Sequence, residues 1–174
     1  MSPSPEASRA AAELARLCAE TAAELERRGA ADQALAELRS PRPILGIRRK
    51  PVMVPRTRAW RLGVVLLGHD GELFATGSVT RAVAPLHANN QSESQEERRE
   101  IRRAAFDGPF AEGEIVNYGW RRLATDAAGL EAGPEPLSLR GAAAMVRWAP
   151  GLGEQGLMPL RRYLAERLEL LDVD

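Results

Sequence analysis

Between Ala59 and Thr80 the chain carries the pattern that most restricts its fold. Trp60, Leu62, Val64 and Leu66 alternate with Arg61, Gly63, Val65 and Leu67, and a period of two belongs to a β-strand. The second series turns apolar after Gly63, which predicts a strand buried on both faces over its second half and therefore central. His69-Asp70-Gly71 follows as a turn, with Asp-Gly its strongest part. Leu73–Thr80 reads as the return strand. Ile115–Leu123 is a third strand and Leu137–Arg140 a fourth; Gly141 allows a turn, and Ala143–Ala149 closes a second hairpin.

Helical patterns surround these strands. Ser4-Pro5-Glu6 opens the first helix with a capping hydroxyl, an early proline and an acid suited to the helix dipole. Leu14, Leu17, Cys18, Thr21 and Leu25 share one face, and Gly29 suits a left-handed cap. A shorter helix is predicted from Asp32, burying Leu35 and Leu38. Ser94 to Glu97 reads as a capping box, with Ser92 and Gln95 as another, for a helix ending near Phe106 before Gly108-Pro109. The last helix starts near Pro159 and buries Leu157, Leu160, Leu164, Leu168 and Leu171. Asp126–Pro136 reads as a surface loop.

Runs of strands with few intervening helices predict the α+β class. The expected architecture is an antiparallel sheet of four to six strands covered by the last helix and the Glu93 helix, with an N-terminal helical extension. Residues 1–38 are the helical segment, 39–58 a connector and 59–174 the α+β body. A length of 174 residues suits one ordinary domain.

Charge is segregated along the chain. Residues 1–38 carry −3, Arg39 to His69 carry eight cations and no acid, and residues 70–174 carry −5. Pro41, Pro43, Pro51 and Pro55 punctuate the basic stretch, and their missing amide donors predict an extended connector. Arg48, Arg49, Lys50, Arg56 and Arg58 are its candidate contacts to an anion or partner. The bland alternative pairs them with the seven acids of residues 1–38. Zero net charge gives no global steering toward nucleic acid or an anionic membrane. No aromatic interleaving accompanies the connector apart from Trp60, so nucleic-acid binding is the less favoured reading. Apolar stretches such as Val64–Leu67 are too short to span a membrane, and no basic-then-apolar leader opens the chain. A soluble cytoplasmic protein is expected.

Catalytic motifs are largely excluded. Lys50 is the sole lysine and Ile47 lies three residues before it, so neither serine–lysine chemistry nor a P-loop is possible. The strand-turn-strand before Arg99-Glu100-Ile101 resembles a Nudix hydrolase in outline. Arg102 and Arg103, however, stand where paired glutamates would hold magnesium, and Pro85 stands where that box needs glycine. One cysteine and two histidines make no structural zinc site. Cys18 sits on an apolar helix face, where an inert thiol is expected. His69 reads as part of a plain turn. No cofactor or metal is predicted.

Two further groups are candidates for binding. His87, Asn89, Asn90, Gln91 and Ser92 lead into a helix N-terminus, where free amides favour an anion; a solvated loop with a good cap is the alternative. Arg98, Arg99, Arg102 and Arg103 end a helix whose acids come first. They either complement its dipole or contact phosphate or an acidic partner.

Ala59 to Leu67, Ala75-Thr76-Gly77, Phe110 to Glu114, Val146-Arg147-Trp148 and Leu160 to Leu171 resemble a small family of uncharacterised proteins of high-GC bacteria, over most of the chain from about residue 44. Some members carry the label glutaminase. The resemblance implies amide hydrolysis and brings no site residues. A cysteine-dependent glutaminase needs a glycine-flanked elbow, and Leu17-Cys18-Ala19 is not one. Residue chemistry therefore favours a non-catalytic binding or regulatory module, with a protein partner or small anionic ligand. Amide hydrolysis is the alternative, and nucleic-acid binding through the connector the second alternative.

Overall fold

Residues 2–42, 49–85 and 93–171 are described by a computed structural model. Its first helix, α1 (Pro5–Arg27), begins as the sequence predicts: the Ser4 side chain accepts from the Ala7 amide and proline fills the first turn. It ends in a Schellman motif, with Gly29 at φ 64°, the Gly29 amide donating to Glu26 O and the Ala30 amide to Leu25 O. The remaining elements are β1 (Gln33–Arg39), β2 (Val52–Leu62), β3 (Val65–Gly68), β4 (Leu73–Ala75), β5 (Ser78–Arg81), α2 (Glu93–Phe106), β6 (Ile115–Tyr118), β7 (Arg121–Arg122), α3 (Ala127–Ala132), β8 (Leu137–Arg140), β9 (Ala143–Arg147), β10 (Leu157–Pro159) and α4 (Leu160–Leu170). The class is α+β, with a mixed seven-stranded sheet in the order β5-β6-β1-β2-β3-β4-β7 and a three-stranded sheet β10-β9-β8.

Two compact units share strand β2. The first comprises Met1–Asp32, Ala59–Thr76 and Arg121–Asp174. Its core gathers Leu14, Cys18 and Leu25 of α1, Trp60 and Leu62 of β2, Val65 and Leu67 of β3, and Leu160, Tyr163 and Leu164 of α4. The second hairpin, β8–β9, turns at Gly141 as expected, but it pairs with β10 in its own small sheet. The stretch expected as a surface loop contains α3, whose Leu130 is fully buried; Asp126 caps this helix by accepting from the Gly129 amide at 2.8 Å.

Trp60–Leu67 is not one strand. Leu62 pairs with Val65 across a two-residue turn at Gly63-Val64, and Gly63 sits at φ 66°. The alternation conceals this turn because a tight antiparallel hairpin preserves apolar side chains on both of its arms. Tyr163 fixes the turn from α4: its hydroxyl donates to Leu62 O and accepts from the Val64 amide, each at 2.9 Å. A Cβ at Gly63 would stand 2.1 Å from that oxygen, so only glycine fits. The following turn forms as predicted, with Gly71 at φ 82°, its amide donating to Gly68 O and Asp70 accepting from the Glu72 amide.

The second unit comprises Gln33–Arg58 and Gly77–Trp120. Residues 33–39 are strand β1, where a helix is predicted from Asp32. The spacing of Leu35 and Leu38 suits a helix, but Ala34, Leu35 and Ala36 are buried in succession, as in a strand covered on both faces. β1 pairs parallel to β6, and β5 pairs antiparallel to β6, so the ladder is mixed where an all-antiparallel sheet is predicted. Asn117 of β6 is fully buried and donates to Gln33 Oε1 at 2.9 Å and Ala34 O at 3.3 Å, which satisfies its amide against β1. The second half of the basic connector is strand β2. Pro55 lies in the part of β2 that precedes its ladder to β3, which begins at Ala59.

The predicted strands Leu73–Thr80 and Ile115–Leu123 are each broken by a glycine. At Gly77 a Cβ would meet Tyr118 O at 2.3 Å, and Gly119 lies at φ 67°. β5 therefore leaves β4 and joins β6. Helix α2 ends at Phe106 as expected and buries Ala104 and Ala105 beside Val116, Ala34, Ala36, Ala82 and Met53. It begins at Glu93, so Ser94 lies inside its first turn; Ser92, the other expected cap, is outside the described residues.

Among the described residues no helix is long and apolar enough to cross a membrane.

Candidate functional site

β5 is a strand for plain reasons: Val79 and Thr80 are β-branched, and Gly77 sets its start. It is the terminal strand of the ladder. Helix α2 packs on it, burying Ala104 and Ala105 and leaving Ile101 half-buried. Arg98 and Arg102, one helical turn apart, fall on the same face as Ile101.

Between β5, α2 and β6 lies a groove of about 680 Å³. Ser78 to Arg81 line it along the whole of β5, Ile115 and Tyr118 line it from β6, and Arg98, Ile101 and Arg102 from α2. Arg81, Arg98 and Arg102 are among the residues that line this groove, and no carboxylate, imidazole or thiol lines it among the described residues. Arg81 is exposed, with its Nη1 3.4 Å from Gly113 O. The hydroxyls of Ser78, Thr80 and Tyr118 add donors and acceptors.

The arginines of α2 divide into two groups. Arg99 pairs with Glu96 at 3.4 Å and Arg103 with Asp107 at 3.3 Å, both along the helix. Arg98 and Arg102, both exposed, belong to none of the ion pairs among the described residues. Of the four arginines singled out in the sequence, the structure thus brings two together with Arg81, a residue the sequence reading passed over.

The connector cations are placed otherwise. Arg56 pairs with Glu37 of β1 at 2.7 Å, and Arg39 with the same carboxylate at 3.1 Å. These two arginines, Arg56 foremost, hold the Glu37 carboxyl below its usual range. Arg58 pairs with Glu114 at 2.6 Å. Arg49 is exposed, while Lys50 borders a hollow of about 140 Å³ together with Glu96, Glu100 and Asp107. Arg48 and the whole His87, Asn89, Asn90, Gln91 and Ser92 loop lie outside the described residues.

Neither His69 nor Cys18 is arranged for nucleophilic chemistry. Burial pushes the Cys18 thiol up to about 12, which keeps it protonated at neutral pH. His69 is more than a turn residue. Its Nδ1 lies 2.9 Å from Glu26 Oε1 and its Nε2 2.9 Å from Asp32 Oδ2, while its ring lies 4.1 Å from that of Trp60. The hydrogen bonds to Glu26 and then Asp32 raise its pKa. With both ring nitrogens engaged by carboxylates, His69 is a clamp rather than a free base. Trp60 completes the clamp by donating from Nε1 to Ala30 O at 3.0 Å.

No family model matches the chain, and neither does any curated protein or solved structure.

Proposed function

We propose that the protein is a non-catalytic binding module that receives an anionic ligand in the groove between β5 and α2. One observation carries this reading: Arg98 and Arg102 line, with Arg81, a groove that no carboxylate lines among the described residues, and Arg98 and Arg102 have no ion-pair partner there. Exposed cations next to acids are usually compensated, as Arg56, Arg58, Arg99 and Arg103 are here. Uncompensated cations beside one hollow form a surface whose complement is negative. Hydroxyls beside them would orient a carboxylate or phosphate by hydrogen bonding.

Titration of isotopically labelled protein with tripolyphosphate and with poly-L-glutamate tests the reading. Amide shifts are expected along residues 78–81 and 98–102, weakening with salt and lost in the Arg98→Ala/Arg102→Ala double variant. Shifts centred elsewhere, or none with either anion, would overturn it. The amide-hydrolase alternative makes a different demand: ammonia release from glutamine, abolished by Cys18→Ala or His87→Ala. The nucleic-acid alternative requires a DNA mobility shift lost on Arg48→Ala with Arg49→Ala. We expect no DNA complex tighter than micromolar at physiological salt, because Arg56 and Arg58 of the same segment are already paired with acids.

A further inference from the structure

We infer that the occupant of this groove is an extended, acidic segment of a protein partner, which adds to the sheet as a strand beside β5. The inference rests on the anion-groove reading and goes beyond it by fixing the ligand class and the way it is held.

The register supplies the first support. Ser78 faces Tyr118 and Thr80 faces Val116, and the Ala82 amide donates to Glu114 O at 3.0 Å. In an antiparallel ladder alternate residues bond to the neighbour and the others turn their polar groups away. Residues 78, 80 and 82 therefore bond to β6, which leaves the backbone groups of Val79 and the Arg81 amide pointing off the edge. Among the described residues the ladder has no strand beyond β5. An uncovered edge of this kind is a template for another chain.

Side chains supply the second. Val79 is 48% exposed, and it lines the groove. A small anion would engage the guanidinium groups and leave both Val79 and the edge in water. An extended peptide uses all three: its amides pair with the edge, an apolar side chain covers Val79, and acidic side chains reach Arg98 and Arg102. The lining spans β5 from Ser78 to Arg81, roughly 10 Å at the rise of a strand, which matches three or four residues of extended chain. Strand addition of this type takes affinity from the main chain and specificity from alternate side chains.

An acetylated, amidated octapeptide in which glutamate alternates with valine is the probe, measured by fluorescence anisotropy on the full chain at low salt. It should bind, and a lysine-for-glutamate counterpart should not. Methylating alternate backbone nitrogens of the peptide leaves its charge unchanged but removes the edge-pairing donors, and should weaken binding roughly tenfold or more. Val79→Pro, with its fold checked by circular dichroism, should do the same while leaving the tripolyphosphate shifts at residues 98–102 intact. Should that variant misfold, the methylated peptide decides the matter on unaltered protein. Equal affinity for methylated and unmethylated peptides overturns strand addition and leaves the anion groove standing. Loss of the tripolyphosphate response as well overturns both. Tighter binding of a single-stranded oligonucleotide than of the peptide overturns the choice of ligand.

Discussion

His69 lies between Glu26 and Asp32, so its protonation state matters to the unit that contains it. The carboxylates raise its pKa in the folded protein. A raised folded pKa contributes stability that is complete below the unfolded value of about 6.5 and lost as pH rises through the folded value. The ring is 44% exposed, so solvent screening keeps the effect small. The expected outcome is that the melting temperatures of the wild type and His69→Gln differ most near pH 6 and converge as pH rises toward 8.5. A gap that widens with pH would contradict the clamp. Tyr163 offers a sharper test. In Tyr163→Phe the Val64 amide loses its partner, and an unsatisfied group of this sort costs about 1–3 kcal/mol. Gly63→Ala should cost more, because its methyl meets the Tyr163 oxygen and its backbone is left-handed. The two changes should be non-additive, since removing the hydroxyl removes the clash. Urea denaturation of the double variant checks this: a cost equal to the sum of the two single changes would argue against it.

At the scale of elements, what was legible in the sequence depended on whether the signal was local. The start and end of α1, the end of α2 before Gly108-Pro109 and the start of α4 after Pro159 rest on signals that act within one turn, and these predicted limits hold, whereas Ser94, expected as a cap, lies inside α2. The Asp70-Gly71 and Gly141 hairpins follow for the same reason. β1 was misread because Leu35 and Leu38 fit a helical period, whereas neighbours from residues 115–118 decide that the segment is a strand. The turn at Gly63 escaped notice because its requirement for glycine comes from Tyr163, a hundred residues away. The groove was only half legible. Arg98 and Arg102 stood out as charge on a helix face, but Ser78, Val79, Arg81, Ile115 and Tyr118 join them only through strand pairing. The clamp on His69 was invisible, since Glu26 and Asp32 reach it across a turn and a hairpin. The end of α1 isolates a purely local term. A Cβ at Gly29 would meet nothing within 4 Å, yet φ is 64°. Gly29→Ala should therefore cost about 1–2 kcal/mol through backbone strain alone, and Gly29→Asn less; thermal melts of the two variants give the comparison.

Across the whole molecule, the two units differ in what they bury. The first has a core of leucines with Trp60 and Tyr163. Among the described residues of the second, the buried cluster is Ala34, Ala36, Met53, Ala82, Ala104, Ala105 and Val116, mostly single methyl groups. A buried leucine contributes about 1.5–3 kcal/mol and one methylene about 0.8, so the described cluster of the second unit contributes less hydrophobic free energy than that of the first. Local opening free energies follow such differences. Native-state hydrogen exchange should show amides of Ile115–Tyr118 exchanging through a lower-energy opening than those of Val65–Gly68. Val116→Ala, which trims one of the larger side chains of the second cluster, should lower protection there by about 2 kcal/mol and leave residues 65–68 unchanged. The proposed ligand acts in the opposite direction. A peptide held against β5 and α2 binds only the folded second unit, and at a hundred times its dissociation constant it should add about 2.7 kcal/mol to protection there. Protection of Val65–Gly68 should not move. A uniform rise across both units would mean that they open together; a rise confined to residues 77–120 and 33–58 would show that ligand free energy acts on the unit that carries the binding edge.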